Sequence, residues 1–387
     1  MGRRAIVCWG VSSFFGWGVY GLNLALHLGR DHDLQIVSAL AIDPGQIAID
    51  ELRWQALAPF MENSKAFQTG MRFGRRPTDD DVVLSAMGND MQPMPGFEAF
   101  KRIAVVFFEY ELEAEAAERV REQRLVIAGS TWNERLLRAY GVESVATVFQ
   151  GVDPTLYHPA PRTGLFGDRF LIFSGGKAEA RKSQDLVLAA FRRFSARRAD
   201  ATLVTAWHSP WPQGAQTLDP SSVAAPVRFT PQGQLDVRSW AGDCGIDPAR
   251  VIDLGAIPNV LFAGVVREMD VALFPNRAEG GTNLVAMECM ACGVPVILSQ
   301  NTGHLDLIAD GSSYVLSRQG PSALGPATIQ GVDAWGESDV DEMVEALEQA
   351  YVDRAEARRR GLEGAKLVSQ FTWARTAQRM KEIVLAF

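Results

Sequence analysis

Residues 277–297 read RAEGGTNLVAMECMACGVPVI. An acidic, glycine-rich turn comes first, an apolar helical segment follows, and Gly293 ends that helix before a strand that begins after Pro295. Thr282 or Asn283 is placed to cap the helix. The free N–H groups and the positive dipole end at such a helix start attract phosphate groups or sugar hydroxyls. The stretch therefore predicts a turn and helix between two strands, with a binding site where the helix begins.

Glu288 stands inside this predicted apolar helix, between Met287 and Cys289. A buried carboxylate loses its hydration, which is costly unless a ligand or a partner donates hydrogen bonds to it. Glu288 is therefore a candidate binding residue. Cys289 and Cys292 form an isolated CxxC pair in the same pattern, so we expect buried small side chains and neither zinc nor redox chemistry there.

Apolar runs alternate with helical segments along the chain, in two series. The first series covers 5–9, 21–28, 34–42, 82–86 and 103–108, and the second covers 170–174, 183–195, 202–205, 227–230, 251–254, 271–275 and 294–299. Short β-rich runs separated by amphipathic helices predict an α/β protein with parallel strands and crossover helices. The length of 387 residues suits two domains, and the proline- and glycine-rich stretch 153–168 is the predicted linker.

A second functional segment follows the strand predicted at 170–174. Gly176, Lys177 and Lys182 lead into the helix predicted from Ser183. A diphosphate leaving group that departs without a metal ion needs fixed positive charge, and two cations beside a helix start supply it. Lysine gives a point charge in place of the fork of arginine. The segment therefore predicts a diphosphate site.

These two segments resemble the signatures of family 4 of the retaining glycosyltransferases, E-G-x-G-L-x-x-x-E-A-M-A-C-G-x-P-V-I and G-R-x-x-x-x-K-G. The first match is nearly position for position from Leu284 to Ile297, while Lys177 and Ser183 replace the arginine and the last glycine of the second signature. The resemblance implies a GT-B fold, in which two Rossmann-like domains with parallel sheets face each other across a deep cleft. It also implies that a sugar moves from a nucleotide-diphosphate donor to a hydroxyl acceptor with retention, without a metal or another cofactor.

Weaker similarity to the family extends over most of the chain. The segment QGVD at 150–153 resembles the N-G-V-D turn that ends the first domain, and residues 130–133 resemble the S-x-W segment before it. The segment FTW at 371–373 resembles the F-x-W that precedes a last helix returning to the first domain. The resemblance thus implies an acceptor-binding domain over 1–160, completed by a helix at about 372–387, and a donor-binding domain over 161–371.

The resemblance also implies roles for single residues. Glu288 would accept hydrogen bonds from the donor ribose, and Lys182 would act on the leaving group as a catalytic residue. In the family the first glutamate of the signature contacts the transferred sugar and acts in catalysis. Glu279 lies one residue too far from Glu288 for that register, so either Glu279 or Gly280 takes this position. The predicted donor-binding set is Gly16, Gly18, Lys177, Lys182, Gly280, Gly281, Thr282, Asn283, Leu284 and Glu288.

The acceptor side is predicted from residues that follow strands of the first series. Glu109 stands where many family members carry a histidine that contacts the reacting sugar. We expect Glu109 to stabilise positive charge at the anomeric carbon or to accept the acceptor's proton, with acceptor binding or helix capping as the alternative. Asn89 and Tyr110 are the predicted acceptor-binding residues, although a simple turn also explains Asn89. His304 either touches the donor or is a structural histidine.

Gly16, Gly18 and Gly21 also spell the dinucleotide-binding pattern G-x-G-x-x-G, and Asp43 follows at a suitable distance. An NAD(P)-dependent oxidoreductase is therefore an alternative. Residues 11–15 separate the first strand from these glycines, whereas a dinucleotide turn follows its strand at once, so we favour a loop that faces the donor across the cleft. A non-catalytic sugar-nucleotide-binding partner protein is a third reading, suggested by the shifted Glu279 and the missing histidine.

Composition limits the partners. The net charge of −8 gives no general attraction to polyanions, so we expect no nucleic acid, while local arginine clusters leave peripheral membrane association open. Four cysteines make no disulfide framework in a chain of this length, and glycines and polar residues interrupt the uncharged stretch 5–26, so we expect a cytoplasmic protein. We expect the partners to be a nucleotide sugar and a glycan, lipid or protein acceptor. The sequence contains no pattern that identifies the sugar, the base, the acceptor or the oligomeric state.

Overall fold

The computed structural model describes residues 2–322, 324 and 335–387. The first half of the chain forms a six-stranded parallel sheet from β1 (Arg3–Val7), β2 (Leu34–Ser38), β3 (Asp81–Met87), β4 (Lys101–Val106), β5 (Val126–Ala128) and β6 (Val145–Thr147). The strand order is β2-β1-β3-β4-β5-β6. The connecting helices are α1 (Gly16–Leu28), α2 (Glu51–Arg72), α3 (Ala114–Arg121) and α4 (Thr131–Ala139).

The second half repeats this arrangement. Its parallel sheet has the order β12-β11-β10-β7-β8-β9, built from β7 (Phe170–Gly175), β8 (Ala201–Ala206), β9 (Val251–Asp253), β10 (Val271–Phe274), β11 (Val296–Ser299) and β12 (Tyr314–Leu316). Its helices are α5 (Gln184–Ser195), α6 (Val237–Asp243), α7 (Asn259–Val266), α8 (Leu284–Ala291), α9 (Val340–Val352) and α10 (Arg354–Val368). A separate antiparallel ribbon joins β13 (Gln319–Pro321) and β14 (Gly336–Ser338).

The predicted α/β class with two Rossmann-like parallel sheets is confirmed. Helices cover both faces of each sheet, so central strands such as β7 and β10 are buried along their whole length and consist of continuous apolar runs. The strand predicted at 227–230 is wrong, because Phe229 forms only an isolated bridge with Leu235. Pro226 and Pro231 flank this segment, and proline cannot donate to a sheet ladder.

The last helix, α11 (Trp373–Ala386), packs against α1 in the core of the first half. The chain returns there beside the end of β6, where Val152 and Thr372 form a parallel bridge. A Cβ added at Gly151 would lie 2.3 Å from the backbone of Thr372, so this crossing needs glycine. The stretch 153–168 contains no helix or strand and leads from the first sheet to the second.

None of the helices in the described part of the chain combines the length and the apolar character that crossing a bilayer requires.

Candidate functional site

A cavity of about 320 Å³ lies where the carboxyl ends of strands from both sheets meet. The first half contributes residues from the loops after β1 and β4 and from the start of α1, among them Ser13, Phe15, Gly16, Trp17, Phe107 and Glu109. The second half contributes Lys177, Lys182, His208, Asn259, Glu279 and Glu288. Loops that follow parallel strands are the usual ligand sites of open α/β sheets. The predicted motifs of the second half therefore open onto a space that the first half bounds.

Glu288 lies in α8 with its side chain buried in the cavity wall. Asn259, at the start of α7, donates from Nδ2 to Glu288 Oε1, and the nearby hydroxyl of Tyr157 donates to Asn259 O at 2.6 Å. Burial raises the pKa of Glu288 to about 8, although the hydrogen bond from Asn259 acts in the opposite direction. Ligand hydroxyls that donate to the carboxylate would lower this pKa, so ligand binding and proton release are coupled at Glu288.

The turn after β7 has the backbone shape that its glycine predicts. Gly176 has φ +105°, and the short 3-10 helix Ala180–Lys182 ends at Ser183, which has φ +60°. This left-handed conformation favours glycine, the residue that the family signature has in place of Ser183. The Ser183 hydroxyl accepts a hydrogen bond from Arg277 N at 3.1 Å, which gives the serine a structural purpose there.

Lys177 and Lys182 both reach the cavity, but neither is an isolated cation. Lys177 is 42% exposed and pairs with Glu179 at 2.8 Å, while Lys182 is 9% exposed and pairs with Glu279. The sequence analysis did not predict that either lysine pairs with a carboxylate. An ammonium group has three N–H donors, so both lysines keep donors that a phosphate oxygen can accept.

Glu279 lies among these cations and is buried. Arg181 Nη1 donates to Glu279 Oε2 at 3.0 Å, and Lys182 binds the other oxygen. Burial would raise the pKa of Glu279, but the charges of Lys182 and Arg181 outweigh it and lower the pKa to about 2. Gly280 lies at a backbone contact between the halves, since a Cβ there would be 2.3 Å from Phe107 O. Of the two residues that fitted the first motif position, Glu279 therefore brings a carboxylate into the cavity.

Glu109 lines the opposite wall and is held from several directions. Its carboxylate pairs with Arg181 Nη2 at 3.1 Å, and Asn89 Oδ1 accepts from the Glu109 backbone N–H at 3.0 Å. The indole N–H of Trp335 donates to Glu109 O at 2.8 Å. Within the described residues, Asn89 and Tyr110 do not line the cavity. The structure thus places Asn89 as a support for Glu109, and Tyr110 packs against a separate apolar cluster with Trp335.

The glycine-rich segment differs from its predicted form. Gly16 and Gly18 lie in the first turn of α1, whereas the prediction placed them in a loop before a helix starting at residue 21. Gly16 lines the cavity, but Gly18 packs on Ser12, whose Cβ would be 2.5 Å from an added Cβ. Gly18 thus permits close packing and does not reach the cavity. Asp43 caps a short 3-10 helix by accepting from Gly45 N.

The other predicted donor residues surround the start of α8. Asn283 caps this helix with φ +62°, accepting from Ala286 N, and both Asn283 and Leu284 line the cavity. Gly281 also lines it. Thr282 instead turns inward, and its hydroxyl donates to Met287 Sδ at 2.9 Å.

His304 and the cysteines have structural surroundings. Asn283 Nδ2 lies 2.9 Å from His304 Nε2, and Ser299 Oγ lies 2.9 Å from Nδ1. Burial lowers the pKa of His304 to about 4, so this satisfied histidine is neutral. Cys289 and Cys292 are buried thiols. Among the described residues, no three His, Cys, Asp or Glu side chains gather as a metal site would require.

Sequence reasoning missed several cavity residues because distant segments bring them together. Arg181 lies between Lys177 and Lys182 in the sequence, but the sequence analysis gave it no role. Asn259 was not predicted either, because its only distinguishing feature is a residue type that is common at helix starts. His208 Nε2 lies 2.8 Å from Asp253 Oδ2, which raises the pKa of His208 through this hydrogen bond. Trp211, 57% exposed, lies edge-on to Phe15 of the first half, with ring centres 5.5 Å apart. In the sequence, this last pair is marked only by an apolar residue after a predicted strand and by a tryptophan that stands between two prolines.

Sequence comparison shows which known proteins the chain is similar to. The model for "Family 4 Glycosyltransferase in conflict systems" matches residues 261–380, which include Glu279, Glu288 and α8. D-inositol 3-phosphate glycosyltransferase 1 of Catenulispora acidiphila is 28% identical over 214 residues, 53% of this chain and 48% of the relative. The putative glycosyltransferase EpsD of Bacillus subtilis is 30% identical over 142 residues, 35% of this chain and 32% of that protein. Over residues 261–380 the chain is similar to glycosyltransferase family 4.

Solved structures agree with this similarity at the level of the fold. Sucrose-phosphate synthase from Thermosynechococcus elongatus superposes with a TM-score of 0.67 at 16% identity, covering 98% of each chain. Anabaena HepE in complex with UDP-glucose superposes with a TM-score of 0.65 at 14% identity, covering 100% of each chain. These neighbours confirm the GT-B architecture. The matches to the first curated relatives span about half of their length, 48% and 44% for the first two.

Proposed function

We propose that this chain is a retaining glycosyltransferase of family 4, which moves a sugar from a nucleotide-diphosphate sugar to a hydroxyl acceptor without using a metal ion. The observation that carries the proposal is the shared cavity, which Lys177, Lys182, Glu279 and Glu288 line together. Relatives named as glycosyltransferases support it. So do the structural neighbours whose descriptions name UDP and UDP-glucose as bound ligands.

In the proposed complex, separate groups of cavity residues bind the ribose, the diphosphate and the sugar of the donor. Glu288, with Asn259 beside it, is the carboxyl group suited to two ribose hydroxyls. Lys177 and Lys182 then meet the diphosphate, with the positive end of α5 behind them. The transferred sugar comes next, between Glu279 and Glu109. Donor residues of one half thus face acceptor-side residues of the other.

Departure of the diphosphate is the step that these residues favour. Negative charge develops on the leaving phosphate oxygen, and fixed ammonium groups stabilise it without reorganisation. In the proposed reaction the acceptor hydroxyl attacks the anomeric carbon from the face that the diphosphate leaves, so the configuration is retained. The departing phosphate oxygen takes the acceptor proton. Glu109 lies across the cavity, where it stabilises positive charge on the sugar or takes that proton in its place.

The oxidoreductase alternative finds little support in the site. A dinucleotide fold places its glycines in the turn directly after β1, but Gly16 and Gly18 are helical here. Asp43 is occupied as a turn cap and does not line the described cavity. A non-catalytic sugar-nucleotide-binding protein remains the second candidate, because every cation of the site already has a carboxylate partner.

A binding and turnover experiment separates these candidates. The protein is titrated by calorimetry with nucleoside diphosphates, their glucose esters and NADH, and each ligand that binds is then tested for hydrolysis and for transfer to sugar and polyol acceptors. The glycosyltransferase binds a nucleotide sugar and releases its diphosphate. Binding without release would identify a non-catalytic binding protein, and binding of NADH alone would identify an oxidoreductase.

A further inference from the structure

Arg181 connects two carboxylates that come from opposite walls of the cavity. Its Nη2 lies 3.1 Å from Glu109 Oε1 in the first half, and its Nη1 lies 3.0 Å from Glu279 Oε2 in the second half. Its Nε is 2.6 Å from Glu179 Oε1. All three guanidinium nitrogens therefore face carboxylates, and the side chain is only 12% exposed. A planar fork of this kind fixes the separation and the orientation of the groups it binds.

We infer that Arg181 is a positioning residue, which holds Glu109 and Glu279 on either side of the transferred sugar, and that this sugar subsite takes an uncharged sugar. The inference rests on the proposed function and deepens it by naming the class of donor.

The location of the subsite follows from the neighbours of Lys182. Lys182 contacts Glu279, and Glu279 contacts Arg181, so these groups adjoin the proposed diphosphate position. Glu288 is hydrogen-bonded instead to Asn259, so it belongs to a separate group of side chains in the same cavity. A nucleotide sugar is linear, with ribose at one end of its diphosphate and sugar at the other. If Glu288 holds the ribose, the sugar lies beside Arg181.

The charges at this end select against an anionic sugar. Glu279 is ionised. Its Oε1 accepts from Lys182 and Asn276 and its Oε2 accepts from Arg181, so the lone pair left on Oε2 can accept only from a donor such as a sugar hydroxyl. Each nitrogen of Arg181 already lies within 3.1 Å of a carboxylate oxygen, so a carboxylate of the ligand would add a fourth negative charge around this one guanidinium. Sugar hydroxyls suit this surface, and a uronate would meet like charges.

Binding of three ligands tests the inference without any turnover. UDP, UDP-glucose and UDP-glucuronate are titrated by calorimetry into the wild-type protein and into the variants Arg181→Lys, Glu109→Gln and the combination of both. Arg181→Lys keeps the charge and removes the fork, so it should weaken UDP-glucose at least tenfold while changing UDP by less than twofold. The wild type should bind UDP-glucose at least tenfold more tightly than UDP-glucuronate. Arg318→Lys is the matched control, because Arg318 is an exposed arginine that forms ion pairs at the surface. This variant should change none of the three affinities.

The combined variant distinguishes positioning from a general loss of structure. Because Arg181 acts through Glu109 together with Glu279, losing the charge of Glu109 should add nothing once Arg181 is replaced. The combination should therefore lose no more affinity for UDP-glucose than whichever single variant binds it more weakly. Equal weakening of UDP and UDP-glucose by Arg181→Lys would overturn the inference and make Arg181 a phosphate ligand. Unchanged affinities, additive losses, or preference for the uronate would overturn it as well. If UDP does not bind to the wild type, the other nucleoside diphosphates and their glucose esters replace it, and failure of all of them overturns the proposed function together with this inference.

Discussion

Asn259 donates a hydrogen bond to Glu288 across the gap between α7 and α8, and so holds the buried carboxyl group at the edge of the cavity. The two residues come from different strand and helix units of the second half. Their contact leaves the remaining lone pairs of Glu288 for a ligand, and the raised pKa of this group makes its charge state sensitive to pH near neutrality.

Replacing Glu288 with alanine should weaken nucleotide binding. A hydrogen bond to a charged group contributes about 1.5–3 kcal/mol, which corresponds to roughly a 10- to 100-fold loss of affinity. Calorimetric titration with nucleoside diphosphates measures the loss. Glu363→Ala, which removes an exposed glutamate of α10, is the control and should bind as the wild type does. Unchanged affinity in Glu288→Ala would contradict the ribose assignment.

The pH dependence of stability should carry a signature of Glu288. Its pKa of about 8 in the folded state lies above the ordinary value of 4.5, so between these values the folded protein holds a proton that the unfolded chain has released. The free energy of unfolding should therefore fall as pH rises through this window, by up to about 1.4 kcal/mol per pH unit from this group. Glu288→Gln should remove that slope.

Urea unfolding at several pH values between roughly 5 and 8 measures this effect. Glu279 does not interfere, because its pKa of about 2 affects stability only below the ordinary value of 4.5, where the contribution is lost as pH falls. Equal slopes in the wild type and in Glu288→Gln would show that Glu288 is ionised in the empty site.

Removing the charge of Lys182 should slow sugar transfer more than it weakens binding. Loss of one group that stabilises the leaving charge costs about 100- to 1000-fold in turnover. In Lys182→Ala, Glu279 keeps Arg181 as a partner, so the free energy of unfolding should fall by only about 1–3 kcal/mol. Steady-state release of nucleoside diphosphate measures the turnover. Lys366→Ala, which replaces an exposed lysine, is the control and should behave as the wild type does. Turnover of Lys182→Ala equal to that of the wild type would remove Lys182 from the mechanism.

A methyl group at Gly280 should disturb the contact between the two halves. An added Cβ would lie 2.3 Å from Phe107 O, a separation that forces the backbone to move. We expect Gly280→Ala to lower the free energy of unfolding by more than about 1 kcal/mol and to reduce turnover. Gly264→Ala is the matched control. It lies exposed in α7 with no atom within 4 Å of the new Cβ, and it should stabilise the protein by about 0.5–1 kcal/mol. A stable, active Gly280→Ala protein would mean that the halves do not meet at this point.

The last helix should stabilise the first half of the chain. Met380 is fully buried in the core that α11 shares with α1, so Met380→Ala should cost about 2–5 kcal/mol. Gln378→Ala, on the exposed face of the same helix, should change stability by less than about 0.5 kcal/mol. Chemical unfolding followed by tryptophan fluorescence compares the two variants. Equal stabilities would show that α11 contributes little to that core.

Long apolar runs made much of this fold predictable. The strands β3, β4, β7 and β10 fill positions buried on both faces, and such positions leave a continuous apolar pattern in the sequence. The strands β5, β6 and β12 have three residues each, too few to show any period, and they were not predicted, whereas β9, of the same length, was predicted from the run 251–254. Residues 227–230 have the right composition for a strand but no neighbouring strand to pair with.

The site was predictable where its chemistry lies in one segment. Glu288 and the lysines stand in contiguous motifs, whereas the contacts of Asn259, Arg181 and Trp335 depend on segments that meet only in the folded chain. Sequence spacing also does not show whether a side chain faces ligand or protein. Thr282 matched the donor motif as well as Asn283 did, but it faces Met287.

The return of α11 to the first half has a practical consequence for making hybrid proteins. A single cut at the linker would separate Trp373 and Met380 from the apolar surface that they cover. Both fragments would then expose apolar side chains to solvent. Exchanging the donor half for that of a relative requires two junctions, one in 153–168 and one just before Thr372, where Gly151 and the returning backbone touch.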